Sequence, residues 1–269
     1  MKPATFQYFR ASTTDEALDR LAQHPGSKVL AGGQSLVPLM NFRLSRPDVL
    51  IDINGVADLG RLAIEDGELR IGALVRHRQL AESGDVAGAV PVLPLAAKHI
   101  GHWAIRNRGT IGGSVAHADP ASELPAALVA LQGTVVLRSA RGERRVAAEE
   151  FFQGFFNTDL GEGELIVEVR IPISKSRFGF NEVVRRPGDF ALVGAYVERS
   201  GPGGSVTWFG LGGRPERLLV DAWPQDAAGR GTLLEELVEG LPLDVSEDYK
   251  RAMAVTVAER AYQQAEGEK

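Results

Sequence analysis

Two short segments decide the fold: Ala31-Gly32-Gly33-Gln34-Ser35-Leu36 near the N-terminus and Thr110-Ile111-Gly112-Gly113-Ser114 further along the chain. In each segment a small hydroxyl residue lies close to two consecutive glycines. Glycine costs conformational entropy, so paired glycines are favoured where backbone approaches another group closely or adopts positive φ. Successive N–H groups in such turns form an anion-binding concavity. We therefore predict that the two segments form one cradle for a ligand diphosphate; the alternative is two tight turns without a ligand.

Both glycine pairs come after short apolar runs, residues 28–30 and 103–105, which we interpret as extended chain. The sequence contains no G-x-G-x-x-G with an acidic residue downstream, so it is not a parallel dinucleotide-binding fold of the usual type. It also lacks the G-x-x-x-x-G-K-[ST] pattern of ATPases.

Composition limits the function further. The chain has 269 residues, is 44% hydrophobic and has a net charge of −5, which indicates a globular protein and argues against nucleic-acid binding. No apolar run approaches the ~20 residues of a membrane span, so we expect no span and a cytoplasmic location. The absence of cysteine excludes iron–sulfur clusters and a cysteinyl flavin bond, and the five histidines show no zinc spacing. Any redox cofactor bound here must be organic.

The order of elements predicts three units, at residues 1–57, 58–174 and 175–269. The first begins with a capping box, Thr13 to Glu16. In the second, Asp119 and Pro120 are expected to start a helix that runs to residue 131. In the third we expect antiparallel strands at 178–185, 190–198 and 206–211, followed by helices at 232–239 and 246–264.

Three longer motifs identify a family: AGGQSLVPLMNFRL (31–44), TIGGSVAHADPASELPA (110–126) and RRPGDFALVG (185–194). In this order and spacing they resemble the FAD-binding medium subunit of molybdenum hydroxylases, the carbon monoxide dehydrogenase and xanthine dehydrogenase group, and the similarity runs nearly end to end. The resemblance implies an α+β fold. It would have a two-lobed FAD-binding fold of the vanillyl-alcohol oxidase type, then a C-terminal three-stranded antiparallel sheet with helices.

The resemblance also implies a division of labour in a heterotrimeric oxidoreductase. FAD, bound noncovalently, would carry electrons and would not touch the organic substrate, so no residue of this chain would be catalytic towards it or bind a metal. The molybdenum cofactor would lie on a large partner subunit and [2Fe–2S] clusters on a small one. The final acceptor would be NAD, a quinone or oxygen.

The resemblance implies two binding segments and three further site residues. Gly32 to Ser35 would bind the diphosphate through backbone N–H groups and the serine hydroxyl, and the second segment would face them and touch the ribitol. Glu123 would accept hydrogen bonds from flavin hydroxyls, Ile166 would back the cofactor, and Phe190 would shield one flavin face. The full set is Ala31, Gly32, Gly33, Gln34, Ser35, Leu36, Thr110, Ile111, Gly112, Gly113, Ser114, His117, Glu123, Ile166 and Phe190.

One position departs from the family pattern. Several relatives have a basic residue directed towards the flavin at or near position 182, where this chain has glutamate. Either Glu182 is a solvated strand residue, which we favour, or it lowers the flavin potential. For Phe190 the alternative is a core side chain. For the whole chain the alternatives are a self-contained flavin oxidase or dehydrogenase of a small alcohol or sugar, and a non-enzymatic assembly module.

Overall fold

The first unit is a small parallel sheet with one helix packed on it. The computed structural model describes residues 1–241 and 248–267. The strand order is β1-β3-β2, and both pairings are parallel. Thr13 caps α1 by accepting a hydrogen bond from the amide of Glu16 at 3.1 Å, as the capping box predicts. The elements are β1 (Gln7–Arg10), α1 (Thr14–Gln23), β2 (Lys28–Leu30), α2 (Leu36–Asn41) and β3 (Val49–Asp52).

The second unit is a five-stranded antiparallel sheet, order β4-β5-β10-β6-β7, with a run of helices inserted between β5 and β6. A 3₁₀ turn, Ala57–Gly60, leads into it. The elements are β4 (Leu62–Glu65), β5 (Glu68–Gly72), α3 (His77–Glu82), α4 (Gly84–Ala89), α5 (Val92–His99), α6 (Trp103–Arg108), α7 (Ile111–His117), α8 (Glu123–Ala130), β6 (Thr134–Ser139), β7 (Gly142–Ala147), α9 (Ala148–Phe151), β8 (Phe152–Gly154), β9 (Asn157–Thr158) and β10 (Leu165–Pro172).

The third unit is an antiparallel sheet of four strands in chain order, with α11 packed on β11 and β12. Its core is formed by aromatic and aliphatic side chains such as Trp208, Trp223 and Tyr262. The elements are β11 (Arg177–Val184), β12 (Ala191–Ser200), β13 (Gly203–Phe209), β14 (Glu216–Val220), α10 (Ala227–Glu239) and α11 (Asp248–Glu266).

The second and third units share a core. Phe180, Tyr196 and Phe209 from the third sheet belong to the same buried cluster as helices α5 and α8. The Tyr196 hydroxyl also donates to the backbone carbonyl of Glu123 at 2.9 Å, in a buried environment. Each of the three larger sheets lies inside one of the predicted units, but because apolar packing crosses residue 174, the domain boundaries themselves stay a prediction.

The structure corrects the sequence prediction at several points. The C-terminal sheet has four strands rather than three, because Glu216–Val220 pairs with β13 as an edge strand. Residues 103–105 are not extended but begin α6, where the carbonyl of His102 accepts from the amides of Ile105 and Arg106. A run of three apolar residues is too short to distinguish the strand period from the helix period.

Asp119 does not cap a helix. Its carboxylate accepts from the amide of Ala121 at 2.9 Å and its carbonyl from the amide of Ser122, so the chain makes a turn there and α8 begins at Glu123. Helix α10 begins at Ala227, five residues before the predicted start at 232, because Asp226 caps it through the amide of Gly229. The predicted start of the last helix, Ser246, lies outside the described residues. No helix among the described residues is both long and apolar enough to cross a bilayer.

Candidate functional site

The fold brings the first glycine segment into direct backbone contact with Arg108 and Gly109, the two residues that immediately precede the second segment. The first follows β2, and the second begins α7. A methyl group added at Gly32 would lie 2.3 Å from the carbonyl oxygen of Arg108 and 2.9 Å from the Cα of Gly109. Such distances are far inside van der Waals contact, so only glycine fits at position 32. The predicted neighbourhood of the two segments is therefore present in the structure.

The first segment presents a row of unused hydrogen-bond donors. Gly33 has φ +73°, a left-handed conformation that turns the chain between β2 and α2. Among the described residues, none accepts a hydrogen bond from the five amides of residues 32–36 or from the Ser35 hydroxyl. Residues 33–36 are only partly buried. Since backbone N–H groups that are not satisfied by protein need another partner, this row fits an anionic ligand such as a diphosphate.

The second segment is built differently. Its glycines do not form a turn but lie in the first turn of α7, which Thr110 caps by accepting from the amide of Gly113 at 3.1 Å. The amides of Ile111 and Gly112 donate to the carbonyls of Val75 and Ala73, both at 3.0 Å. A methyl group at Gly112 would lie 2.6 Å from the Cβ of Ala73. This glycine is therefore required for packing against the residue that follows β5, and the amides of residues 111–114 are already used by protein acceptors.

A buried histidine supports the second segment. The Nε2 atom of His77 lies 3.0 Å from the Ser114 hydroxyl, and a methyl group on Gly109 would lie 2.7 Å from the His77 ring. Burial lowers the pKa of His77 to about 4, so the ring is neutral at pH 7. His77 is the first residue of α3 and is not among the predicted site residues, because it lies outside the three motifs.

Two further polar residues, Asn54 and Arg76, bind backbone carbonyls beside the first glycine segment, and neither is among the predicted site residues. Asn54 follows β3, the central strand of the parallel sheet, and donates to the carbonyl of Ala31 at 2.8 Å. Arg76 donates to the carbonyl of Arg108 and, at 2.7 Å, to the side chain of Asn54. Because β2 and β3 are parallel, their carboxyl ends share one edge of the sheet, and this placed Asn54 near the first segment.

The remaining predicted site residues lie in different surroundings. Glu123 is 3% exposed and opens α8; burial, with the nearby Glu182 and Asp119, raises its pKa to about 8. His117 ends α7 with its ring 5.1 Å from that of Phe156. Ile166 is buried in β10, whose pairing register with β6 shifts between residues 166 and 168.

For Phe190 the alternative interpretation, a core side chain, is wrong, and for Glu182 the favoured interpretation is wrong. Phe190 is 59% exposed, so it is not a core side chain. It follows a turn at Gly188, where φ is +88° and an added methyl group would lie 2.5 Å from the ring of His102. Glu182 is not a solvated strand residue: its side chain is 2% exposed and bonds to Nδ1 of His99 at 3.0 Å. Its second oxygen has no partner among the described residues.

Comparison with known proteins agrees with this geometry. Residues 4–174 match the family model described as the FAD binding domain in molybdopterin dehydrogenase. The chain is 47% identical over 198 residues to the 6-hydroxypseudooxynicotine dehydrogenase complex subunit alpha of Paenarthrobacter nicotinovorans, covering 72% of this chain and 67% of that one. It is 35% identical to the carbon monoxide dehydrogenase medium chain of Hydrogenophaga pseudoflava, covering 97% of both chains.

A solved structure shows the same fold over the whole chain. Quinoline 2-oxidoreductase from Pseudomonas putida 86 superposes with a TM-score of 0.94 at 34% identity, covering 100% of this chain and 99% of that one. The α+β fold implied by the sequence motifs is thereby confirmed. This chain belongs to the FAD-binding subunits of the molybdenum hydroxylase family, the oxidoreductases that include carbon monoxide dehydrogenase and xanthine dehydrogenase.

Proposed function

We propose that this chain holds FAD noncovalently and serves as the electron-transfer subunit of a multi-subunit molybdenum hydroxylase. The observation that carries the proposal is the row of amides at residues 32–36, which have no protein partner in the part of the chain that the structure describes and include Gly33 in a left-handed conformation. FAD contains a diphosphate, which is the kind of anion that such a row of N–H donors binds. When bound, FAD supplies the capacity to accept two electrons and release them singly or in pairs.

The two glycine segments would then have unequal roles. The first segment would bind the diphosphate through its amides and the Ser35 hydroxyl. The second would contribute the shape of the site, together with the Ser114 hydroxyl. Neutral His77, held by burial, would leave that hydroxyl free of a competing positive charge.

Glu123 and Phe190 would act on the remainder of the cofactor. A buried carboxyl group whose pKa is raised to about 8 is protonated at pH 7, so Glu123 can donate as well as accept a hydrogen bond to a ribitol or flavin hydroxyl. The exposed ring of Phe190 would cover one face of the flavin and restrict access of solvent and oxygen.

The rest of the electron path lies on partners. A large subunit would carry the molybdenum cofactor where the organic substrate is oxidised, and a small subunit would carry [2Fe–2S] clusters that deliver electrons to this chain. NAD, a quinone or oxygen would be the final acceptor. A heterotrimeric assembly in the cytoplasm is the form that we expect from the family.

The cofactor and the division of labour can be tested on the purified chain. The chain should show a flavin absorbance spectrum, and acid precipitation should release all of the flavin into the supernatant. Flavin retained in the pellet would contradict noncovalent binding, and the absence of any flavin after titration with FAD would favour an assembly module. Bleaching of the isolated FAD-loaded chain by an organic substrate would instead support the self-contained oxidase.

A further inference from the structure

Two backbone carbonyls at the contact between the glycine segments are each held by a side chain. The carbonyl of Ala31, which directly precedes Gly32, accepts from the Nδ2 of Asn54 at 2.8 Å. The carbonyl of Arg108, which an added methyl on Gly32 would strike, accepts from the guanidinium of Arg76. The same guanidinium donates to the Oδ1 of Asn54 at 2.7 Å, so one continuous chain of hydrogen bonds joins the first segment to Arg108, two residues before the second segment.

This chain of bonds is anchored in the parallel sheet. Asp52, the last residue of β3, accepts from the backbone and side-chain nitrogens of Asn54 at 2.8 and 2.6 Å, and from the hydroxyl of Tyr8 at 2.5 Å. Although burial opposes it, these bonds hold the pKa of Asp52 below its usual value. An ionised Asp52 with both oxygens engaged fixes the Asn54 amide in one orientation, which is the orientation that meets Ala31 and Arg76.

Arg76 is suited to this position by its geometry. Its guanidinium is half-buried and, among the described residues, donates only to neutral oxygens and forms no ion pair with a carboxylate. A planar guanidinium donates in two fixed directions at once, whereas a lysine ammonium is a point charge that does not reproduce this fork. The two acceptors bind different terminal nitrogens of Arg76, whereas the single nitrogen of a lysine would have to reach both acceptors from one position.

We propose that Arg76 and Asn54 are positioning residues that fix the separation of the two glycine segments, so that the FAD site is formed before FAD arrives; this inference rests on the proposed function. Binding is tighter when the site needs no ordering at the moment of association. We call the hydrogen-bonded pair Arg76 and Asn54 the clamp. Without the clamp, the segments would separate in the free protein, and FAD binding would have to bring them together. Affinity for FAD would fall while the protein remained folded.

The test compares FAD affinity of matched variants of the full chain, by titrating FAD into the flavin-free protein and following the quenching of flavin fluorescence. Arg76→Lys keeps the charge and removes the fork. Arg78→Lys is the control, because Arg78 lies two residues away, is exposed, and pairs with Glu82 on its own helix. We expect Arg76→Lys to raise Kd about tenfold or more, corresponding to the loss of a charge-assisted hydrogen bond, and the control to stay within about twofold.

Asn54→Ser is the second variant in the FAD titration, and it tests the proposal if Arg76→Lys fails to fold. It should also raise Kd, and the double variant should raise it by less than the product of the two single effects, because both residues belong to one clamp. The urea midpoint of the flavin-free protein should move little, whereas a merely structural role would lower it together with affinity. Wild-type affinity in Arg76→Lys, or additive effects in the double variant, would overturn the clamp. If the wild-type chain itself takes up no FAD, the proposed function fails instead.

Discussion

Gly32→Ala is the substitution whose effect on the site is most directly fixed by the structure. The new methyl group would lie 2.3 Å from the Arg108 carbonyl oxygen, and ordinary contact begins at 3.4 Å, so one segment must move by about 1 Å. The obstructing atoms belong to backbone, so no side chain can rotate away to relieve the clash. Gly32 does not have positive φ, and the substitution therefore tests contact between the segments without adding backbone strain.

Overpacking of this size costs about 1–3 kcal/mol. In the flavin-free protein the methyl group would push the two segments apart against the hydrogen bonds of Asn54 and Arg76, and FAD would then have to restore their native separation. Most of the cost should therefore appear as an increase in the Kd for FAD, of about five- to 150-fold. The assay is fluorescence titration, with urea unfolding of the flavin-free protein in parallel. Gly60→Ala is the control, since nothing lies within 4 Å of a methyl group there. Equal FAD affinity in the two variants would refute the argument.

The remaining predictions concern titration and the flavin face. Because the folded-state pKa of Glu123 is about 8, above its ordinary 4.5, the stability of the flavin-free chain should fall as pH rises from 4.5 to 8, by up to about 1.4 kcal/mol per unit. Urea unfolding of Glu123→Gln should lack that contribution; an unchanged slope would contradict it. His77, with a folded-state pKa of about 4 instead of 6.5, should cost stability as pH falls from 6.5 to 4, and His77→Gln should be less acid-sensitive than wild type. Phe190→Ala should speed reoxidation of reduced flavin by oxygen and shift the visible spectrum; a loss of stability alone would show that the ring does not face the flavin.

Local signals in the sequence predicted those parts of the fold that depend on local interactions. The predicted helix start at Thr13 is confirmed, because Thr13 and Glu16 are three residues apart and their hydrogen bond needs no tertiary partner. In the structure the Glu16 carboxylate bonds to Ser12, one residue before the cap, so even here the detail differs from the expected pattern. The edge strand Glu216–Val220 was missed because its apolar and polar residues do not alternate regularly. It is recognised as a strand through its antiparallel pairing with β13.

The candidate site was found through motifs rather than through periodicity, and the motifs could not reveal its supporting residues. Asn54, Arg76 and His77 lie outside the three quoted motifs, and they come together only when β3 and β5 end beside the glycine segments. Burial of Glu182 was missed for a related reason. The alternating pattern of the strand predicts that this glutamate faces solvent. In the structure α5 packs on β11, and the Glu182 carboxylate forms a hydrogen bond with His99 of α5.

The two glycine pairs show why similar sequence does not imply similar chemistry. Both read as two glycines beside a hydroxyl residue, and both were interpreted as donors to a diphosphate. In the structure, the amides of residues 32–36 have no protein partner among the described residues, whereas those of Ile111 and Gly112 donate to the carbonyls of Val75 and Ala73. A side chain at position 112 would clash with Ala73, and one at position 32 would clash with Arg108. Contacts within the protein therefore explain both glycines without any ligand. A glycine pair thus marks a close approach, and only the account of which amides remain unpaired identifies the approach that can bind an anion. On that basis we expect the diphosphate to bind to the first segment, and we expect the second segment to contribute the shape of the site.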